Sequence, residues 1–298
     1  PRVREDILST LKLKNPISIV TGFDRPNLYF EVRQPKDKYS SLLQYLEESE
    51  GNGIVYCSTR KEVERVTERL IEDGYSASRY HAGLSDNERN QSQDDFLYDR
   101  VRIIVATNAF GMGIDKSDVR FVIHYNMPQN VESYYQEAGR AGRDGLPSDC
   151  ILLYSRKDIS TVLFLINQSE NQDEIARNRR LLNQMEYYCE TYGCLRKYML
   201  NYFGEKTTEN CCNCGNCNGS FDETDVTVDS QKVLSHILRL NRAGKKFMFA
   251  HTADILLGKS DDFTDLSTFG IMKGLPLRYI RSIVNRLTSL GYILNDGY

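Results

Sequence analysis

The chain has 298 residues, 40% of them hydrophobic and 27% charged, with a formal net charge of -3. That is ordinary soluble-protein usage, and the length allows two or three domains with cores of their own. No apolar run approaches membrane-spanning length and no signal-peptide pattern occurs, so a membrane protein is excluded and a cytoplasmic one expected. The Asn-x-Ser triplets at Asn90, Asn167 and Asn218 are then chance matches. The net charge does not advertise nucleic-acid binding, but from Val226 onward ten Lys/Arg face six Asp/Glu, a local basic excess.

From about Gly53 to Tyr154, short apolar runs alternate with helical stretches. Ile54 to Cys57 reads as a buried strand, and Thr59-x-x-Glu62 as a capping box opening a helix that ends near Gly74. A strand is expected around Ala77 to His81. A second capping box, Ser85-x-x-Glu88, opens a helix to Asp99. Val101 to Ala106, Arg120 to Tyr125 and Cys150 to Tyr154 are further β-rich runs. Such alternation predicts a parallel sheet covered on both faces, with ligands at the carboxyl ends of its strands. That edge is expected to collect Ser58 to Arg60, His81 to Gly83, Thr107 to Asp115, and the loop after the next helix.

That helix spans Asn130 to Ala138 and runs into a glycine-punctuated turn carrying Arg140 and Arg143. Glycines permit the turn without Cβ clashes. Two permanently charged guanidinium forks on one short loop suit a γ-phosphate whose charge is changing. The alternative is a surface loop with incidental arginines.

Beyond it, Asp173 to Tyr202 reads as two helices broken near Gly193. Five of the eight cysteines fall between Cys194 and Cys217. In a reducing compartment that clustering favours metal over disulfides. Cys194, Cys211, Cys214 and Cys217 supply four soft thiolates with no open position for water, the pattern of a structural Zn²⁺ site. Cys212 would leave one residue before Cys214, a cramped bite, and Cys189 is expected to pack on its helix. Phe221 to Asp229 reads as a linker. Helices follow at Ser230 to Asn241, Thr252 to Leu257 and Pro276 to Leu290, with Pro276 in the first turn of the last and Gly291 as its stop. Leu277, Ile280, Val284 and Leu287 make that helix's apolar stripe. Tyr292 to Gly297 resembles a broken-off hairpin, so the tail reads as a winged helix-turn-helix with a truncated wing. Ala253 to Ser260 satisfies the loose [AG]-x4-G-K-[ST] pattern, but an apolar helical stretch ended by Gly258 is no phosphate cradle.

Taken together, Phe23 to Asn27, Ile54 to Arg60, Tyr80 to Leu84, Ala106 to Lys116, Tyr134 to Gly145 and Asn201 to Glu205 resemble, in order and spacing, the RecQ family of superfamily-two DNA helicases. The resemblance covers nearly the whole chain. It implies an α/β RecA-like lobe, a helical zinc-binding module and a winged-helix domain. The expected boundaries are residues 1–24 as lead-in from a first lobe, 25–167 for the second RecA-like lobe, 168–220 for the helical hairpin and zinc module, 221–229 for a linker and 230–298 for the winged helix. The family couples ATP hydrolysis to 3′→5′ translocation on single-stranded DNA and to duplex unwinding. Its phosphate-binding loop and Asp-Glu box are not in this sequence, so ATP and Mg²⁺ are expected only with a first lobe, and the chain alone is expected to be inactive as an ATPase.

By the same resemblance Arg143 is an arginine finger, and Gln136 and Arg140 hold the nucleotide phosphates. Gly113 and Asp115 belong to the motif facing the nucleotide, Asp115 as ribose or coupling acid, with a helix cap as the alternative. Ser58, Arg60 and Thr107 grip DNA phosphates without reading sequence. Arg278, Arg281 and Arg286, with Lys245 and Lys246, are winged-helix phosphate contacts or a solvated face. His81 is expected to order its loop. Single-stranded and duplex DNA are the implied partners, single-stranded-DNA-binding protein a further one, in a monomer. Two rivals stand beside this reading: an RNA helicase lobe, and a zinc and winged-helix DNA-binding module with a vestigial motor lobe.

Overall fold

The computed structural model describes residue 10 and residues 22–111, 115–219, 224–244, 249–260, 263–290 and 292–293. The chain divides into two compact units, 1–219 and 220–298. Among the described residues no helix is long and apolar enough to cross a membrane.

The first unit is built on six parallel strands: β1 (Leu28–Arg33), β2 (Asn52–Tyr56), β3 (Ala77–Tyr80), β4 (Ile103–Ala106), β5 (Val119–His124) and β6 (Ser148–Leu153), in the order β1-β6-β5-β2-β4-β3. The inner strands carry apolar runs, Ile54 to Tyr56, Ile103 to Ala106, Phe121 to Ile123 and Cys150 to Leu153, because both faces are covered. Side chains alternate across a strand, so Ile54, Ile104 and Val122 face one core while Val55, Val105 and Ile123 face the other. The second core is closed by α1 (Lys38–Glu48) and α2 (Arg60–Glu72). The first is closed by α3 (Asp86–Leu97), α4 (Val131–Ala138), α5 (Arg156–Ile166), α6 (Gln172–Glu190) and α7 (Leu195–Tyr202). Each fully buried aliphatic side chain stabilises by about 1.5–3 kcal/mol.

The caps differ from expectation in one place. Ser85 and Glu88 form the full reciprocal box. Thr59 accepts from the Glu62 N–H, but the Glu62 carboxylate turns to Arg65 instead of back to the cap. A guanidinium is the stronger donor, so only half of that box exists. The edge strand β1, unread in the sequence, pairs with β6 from Leu28↔Ser148 to Arg33↔Leu153.

After α7, the short α8 (Gly215–Asn218) closes the first unit, and Cys214 bridges to Phe30 of β1. The second unit holds α9 (Thr227–Arg242), α10 (Phe249–Leu257) and α11 (Leu277–Ser289), packed through Val233, Leu256, Ile280, Val284 and Leu287. The expected linker is shorter than 221–229, because Asp225 caps the Thr227 N–H and the helix begins there. Pro276 is extended (φ -65°, ψ 135°) and stands before α11 rather than in its first turn. Gly258, at φ +72°, ends α10, with the Lys259 N–H on Asp254 O at 2.8 Å; this is a helix stop, not a phosphate loop. Gly291 and most of the expected wing lie outside the described residues.

Candidate functional site

Neighbouring strands β2 and β5 send their following helices to opposite faces, α2 to one core and α4 to the other. A crevice opens at the carboxyl ends of strands that part in this way. Here it is a cleft of about 110 Å³, lined among others by Tyr56, Ser58, Asn108, His124, Asn126 and Glu137. The Ser58 N–H donates to Asn126 Oδ1 at 3.0 Å, tying the β2 loop to the β5 loop. The Thr107 N–H donates to Tyr80 O at 3.2 Å, at the ends of β4 and β3. Arg60 is exposed, and a Cβ at Gly83 would lie 3.2 Å from its guanidinium, so it borders the His81 loop. His81 orders that loop: Nδ1 accepts the Gly83 N–H at 3.1 Å, and Nε2 donates to Glu64 at 2.8 Å. Burial opposes the Glu64 carboxylate, but hydrogen bonds from His81 and Arg79 outweigh it and hold the group below its usual range. Ser58, Arg60 and Thr107 thus share one edge of the sheet.

The arginine loop is at the other edge, a correction to the sequence reading. Helix α4 runs back along the sheet, so the loop after it meets the amino ends of the strands. The Gly142 N–H donates to Val119 O at 2.9 Å, the first residue of β5, and the Asp144 N–H to Ser117 O at 3.2 Å. From this loop Arg140 Nη1 donates to Gly111 O at 2.6 Å, and Arg143 Nη1 pairs with Asp115 Oδ1 at 3.0 Å. Gly111 is obligatory: its φ is +134°, and a Cβ would stand 2.1 Å from the Arg140 guanidinium carbon. Gln136 is exposed on α4, and Gly113 lies outside the described residues. Buried His124, bonded to Glu137 at 2.9 Å, joins the cleft to the helix that leads into the loop.

Residues without an assigned role in the sequence reading hold this loop. Arg25 donates to the carbonyls of Gly139, Ala141 and Gly142 at 3.2, 2.9 and 2.9 Å. Asn27 donates to Gly142 O and Leu146 O, both at 2.9 Å. Arg120 Nη2 donates to both carboxylate oxygens of Asp144, at 2.7 and 2.6 Å. One signal was present: an Arg-Pro-Asn run opening a strand.

The Sγ atoms of Cys194, Cys211, Cys214 and Cys217 lie within 4.8 Å of one another. Cys211 and Cys217 are 3.9 Å apart and Cys194 and Cys214 4.0 Å, against about 3.8 Å for a tetrahedron with 2.3 Å bonds. The donor set therefore fits Zn²⁺. Burial works against the Cys194 thiolate, yet the N–H groups of Lys197 and Cys211 donate to its sulfur and bring the thiol down to about 7. Cys212, at φ +50°, is exposed and outside the cluster; Cys189 is buried on α6. In the second unit Arg278 and Arg281 are exposed on α11 and Arg286 is half-buried, whereas Lys245 and Lys246 lie outside the described residues.

Residues 37–145 match the helicase conserved C-terminal domain, 156–218 the RecQ zinc-binding domain and 220–298 the RQC domain. The ATP-dependent DNA helicase RecQ of Bacillus subtilis (strain 168) is 43% identical over 305 residues, covering 100% of this chain and 51% of its own. The protein of the same name from Pasteurella multocida (strain Pm70) is 37% identical over 297 residues, covering 97% and 46%. The chain spans about half the length of these curated relatives. A solved DEAD box protein from Methanococcus jannaschii shares 26% identity over 56% of this chain and 46% of its own, at a TM-score of 0.44.

Sheet, arginine loop and thiolate cluster define a RecA-like helicase lobe joined to a zinc-binding module. Three consecutive domain matches in the expected order identify the lineage. The chain belongs to the RecQ family.

Proposed function

We propose that this chain is the second motor lobe, zinc module and winged helix of an ATP-driven 3′→5′ DNA helicase acting in DNA repair and recombination. The observation that carries the reading is the braced loop that presents Arg140 and Arg143 beside Gly111 and Asp115. Nucleotide and Mg²⁺ are held by a partner RecA-like lobe, and Arg143 meets the γ-phosphate as charge builds in transfer. Arg140 and Gln136 hold phosphates and report their loss to the loop. Asp115 faces the nucleotide with Gly113.

Ser58, Arg60 and Thr107, at the opposite edge, take phosphates of single-stranded DNA. Such contacts position a strand without reading it. The four thiolates hold Zn²⁺ as a structural ion, and Arg278 and Arg281 meet duplex phosphates. The working division is residues 25–167 for the motor lobe, 168–220 for the zinc module and 230–298 for the winged helix. The protein works as a cytoplasmic, nucleoid-associated monomer and meets single-stranded-DNA-binding protein there.

The test is strand displacement by the full-length protein on 3′-tailed DNA and RNA duplexes. ATP-dependent separation of DNA, weak or absent on RNA, is expected. Separation of RNA alone, or DNA binding with no ATP turnover, overturns the reading.

A further inference from the structure

We propose that Arg25 is a positioning residue for the arginine loop and that Arg196 sets Arg25 in place; the proposal rests on the reading of Arg143 as the arginine finger. Helix α4 ends at Ala138, which leaves carbonyls beyond it without helical partners. One guanidinium takes three of them, Gly139 O, Ala141 O and Gly142 O, all within 3.2 Å. The last of these immediately precedes Arg143. Fixing three carbonyl directions within four residues fixes the backbone from which Arg143 projects. A rigid fork of donors does this; a lysine ammonium has the charge but not the span.

Arg25 is itself aimed from below. Arg196 Nη1 donates to Asp24 Oδ1 at 2.9 Å and to Arg25 O at 2.7 Å. Its Nη2 donates to Pro26 O at 3.3 Å and also to Leu28 O. Pro26 limits the segment further by fixing its own φ. Arg196 is 6% exposed with its guanidinium over the Phe30 ring. Its two Nη groups reach four acceptors at fixed positions while Nε is buried without a partner among the described residues, so the fork has one geometry rather than several.

Arg196 stands two residues after Cys194, whose sulfur accepts the Lys197 N–H and caps α7. The thiolate cluster fixes the start of α7, α7 fixes Arg196, Arg196 fixes residues 24–28, and Arg25 fixes the loop. The zinc module thereby sets the aim of a side chain at the motor lobe's arginine loop.

The experiment compares Arg25→Ala, Arg25→Lys, Arg196→Lys, Arg143→Ala and the Arg25→Ala/Arg143→Ala pair in the full-length protein. It follows DNA-stimulated ATP turnover and amide hydrogen exchange of residues 139–146. A misplacement of about 1 Å costs on the order of 10²-fold, so Arg25→Ala is expected to lower kcat by about 10- to 100-fold with KM for ATP little changed. Exchange across 139–146 should rise, and the pair should be no slower than Arg143→Ala alone. Arg25→Lys, which keeps the charge and packing, is expected to fold normally and to fall between wild type and Arg25→Ala. Arg196→Lys should raise exchange in both 24–28 and 139–146.

Wild-type turnover or unchanged exchange in Arg25→Ala overturns the proposal, as do losses that multiply in the pair. A response to Arg196→Lys confined to 24–28 overturns its second half. Should Arg143→Ala itself turn over normally, the finger reading fails, and the proposal with it, a result distinct from all of these.

Discussion

Arg143 Nη1 lies 3.0 Å from Asp115 Oδ1, and the aspartate side chain of that pair is 91% exposed. Ion pairs so open to water contribute at most about 1 kcal/mol. Loss of this pair therefore costs the fold little. In the full-length protein, Arg143→Ala is expected to keep its melting temperature and its affinity for ATP while turnover falls by about 10³–10⁵. Turnover near the wild-type rate takes Arg143 out of the reaction.

Gly111 is the tightest point of the same loop system. At φ +134°, with a Cβ predicted 2.1 Å from Arg140 Cζ and 2.2 Å from Nη2, Gly111→Ala must both strain the backbone and displace Arg140. Strain of this kind costs about 1–3 kcal/mol. The unfolding midpoint in urea should drop accordingly, with turnover reduced far beyond what the lost stability explains. An unshifted midpoint and normal turnover contradict the placement of Arg140.

Zinc content separates neighbouring cysteines. The purified chain is expected to hold one ion in the cluster formed by Cys194, Cys211, Cys214 and Cys217. Cys211→Ser should lose it, while Cys212→Ser, at an exposed position outside the cluster, should keep it. A mercurial that takes the four sulfurs as Hg–S bonds and releases the ion should unfold the module first, because the metal's binding free energy is part of the module's folding free energy. Unaltered helix content and melting after metal release count against a structural ion.

His236 gives the second unit a pH dependence. The ring is 0% exposed, Nδ1 lies 2.8 Å from Thr268 Oγ1, and Nε2 has no hydrogen-bond partner among the described residues. Burial pushes its pKa below the ordinary value of 6.5. The unfolded chain then takes up a proton that the folded unit refuses, so stability is retained above about pH 6.5 and lost below it. Protection of α9 and α11 amides, corrected for intrinsic exchange, should weaken between about pH 7 and about pH 5.5. In His236→Gln it should not change over that range. Equal pH dependence in both proteins excludes His236 as the cause.

Most of the strands legible in the sequence are the inner ones, buried on both faces; the edge strand β3, half-buried throughout, is the exception. Ile103 to Ala106, all fully buried, leave no other reading for so short an apolar run. Strand β1 escaped notice because Glu31 and Arg33, paired with each other, interrupt its apolar signal. The zinc cluster was legible because thiolate chemistry writes itself into spacing. The position of the arginine loop was not. The loop is local, but its edge of the sheet depends on α4 reversing direction, eight residues or about 12 Å of helix. Arg25 and Arg196 were least legible of all. Apart from the Asp24 carboxylate on Arg196, their partners are backbone carbonyls, which no residue type announces, and Arg196 finds Arg25 O across 171 positions of sequence.

The bridge between Phe30 and Cys214, together with the hold of Arg196 on residues 24–28, bears on how such proteins change over time. A recombination point between sheet and zinc module, near residue 155, would be a natural place for relatives to trade parts. The receiving lobe would then meet a foreign Arg196 with its own 24–28 segment. The two stretches, one ahead of the sheet and one behind it, are bound to be inherited together, and substitutions in either should be matched in the other.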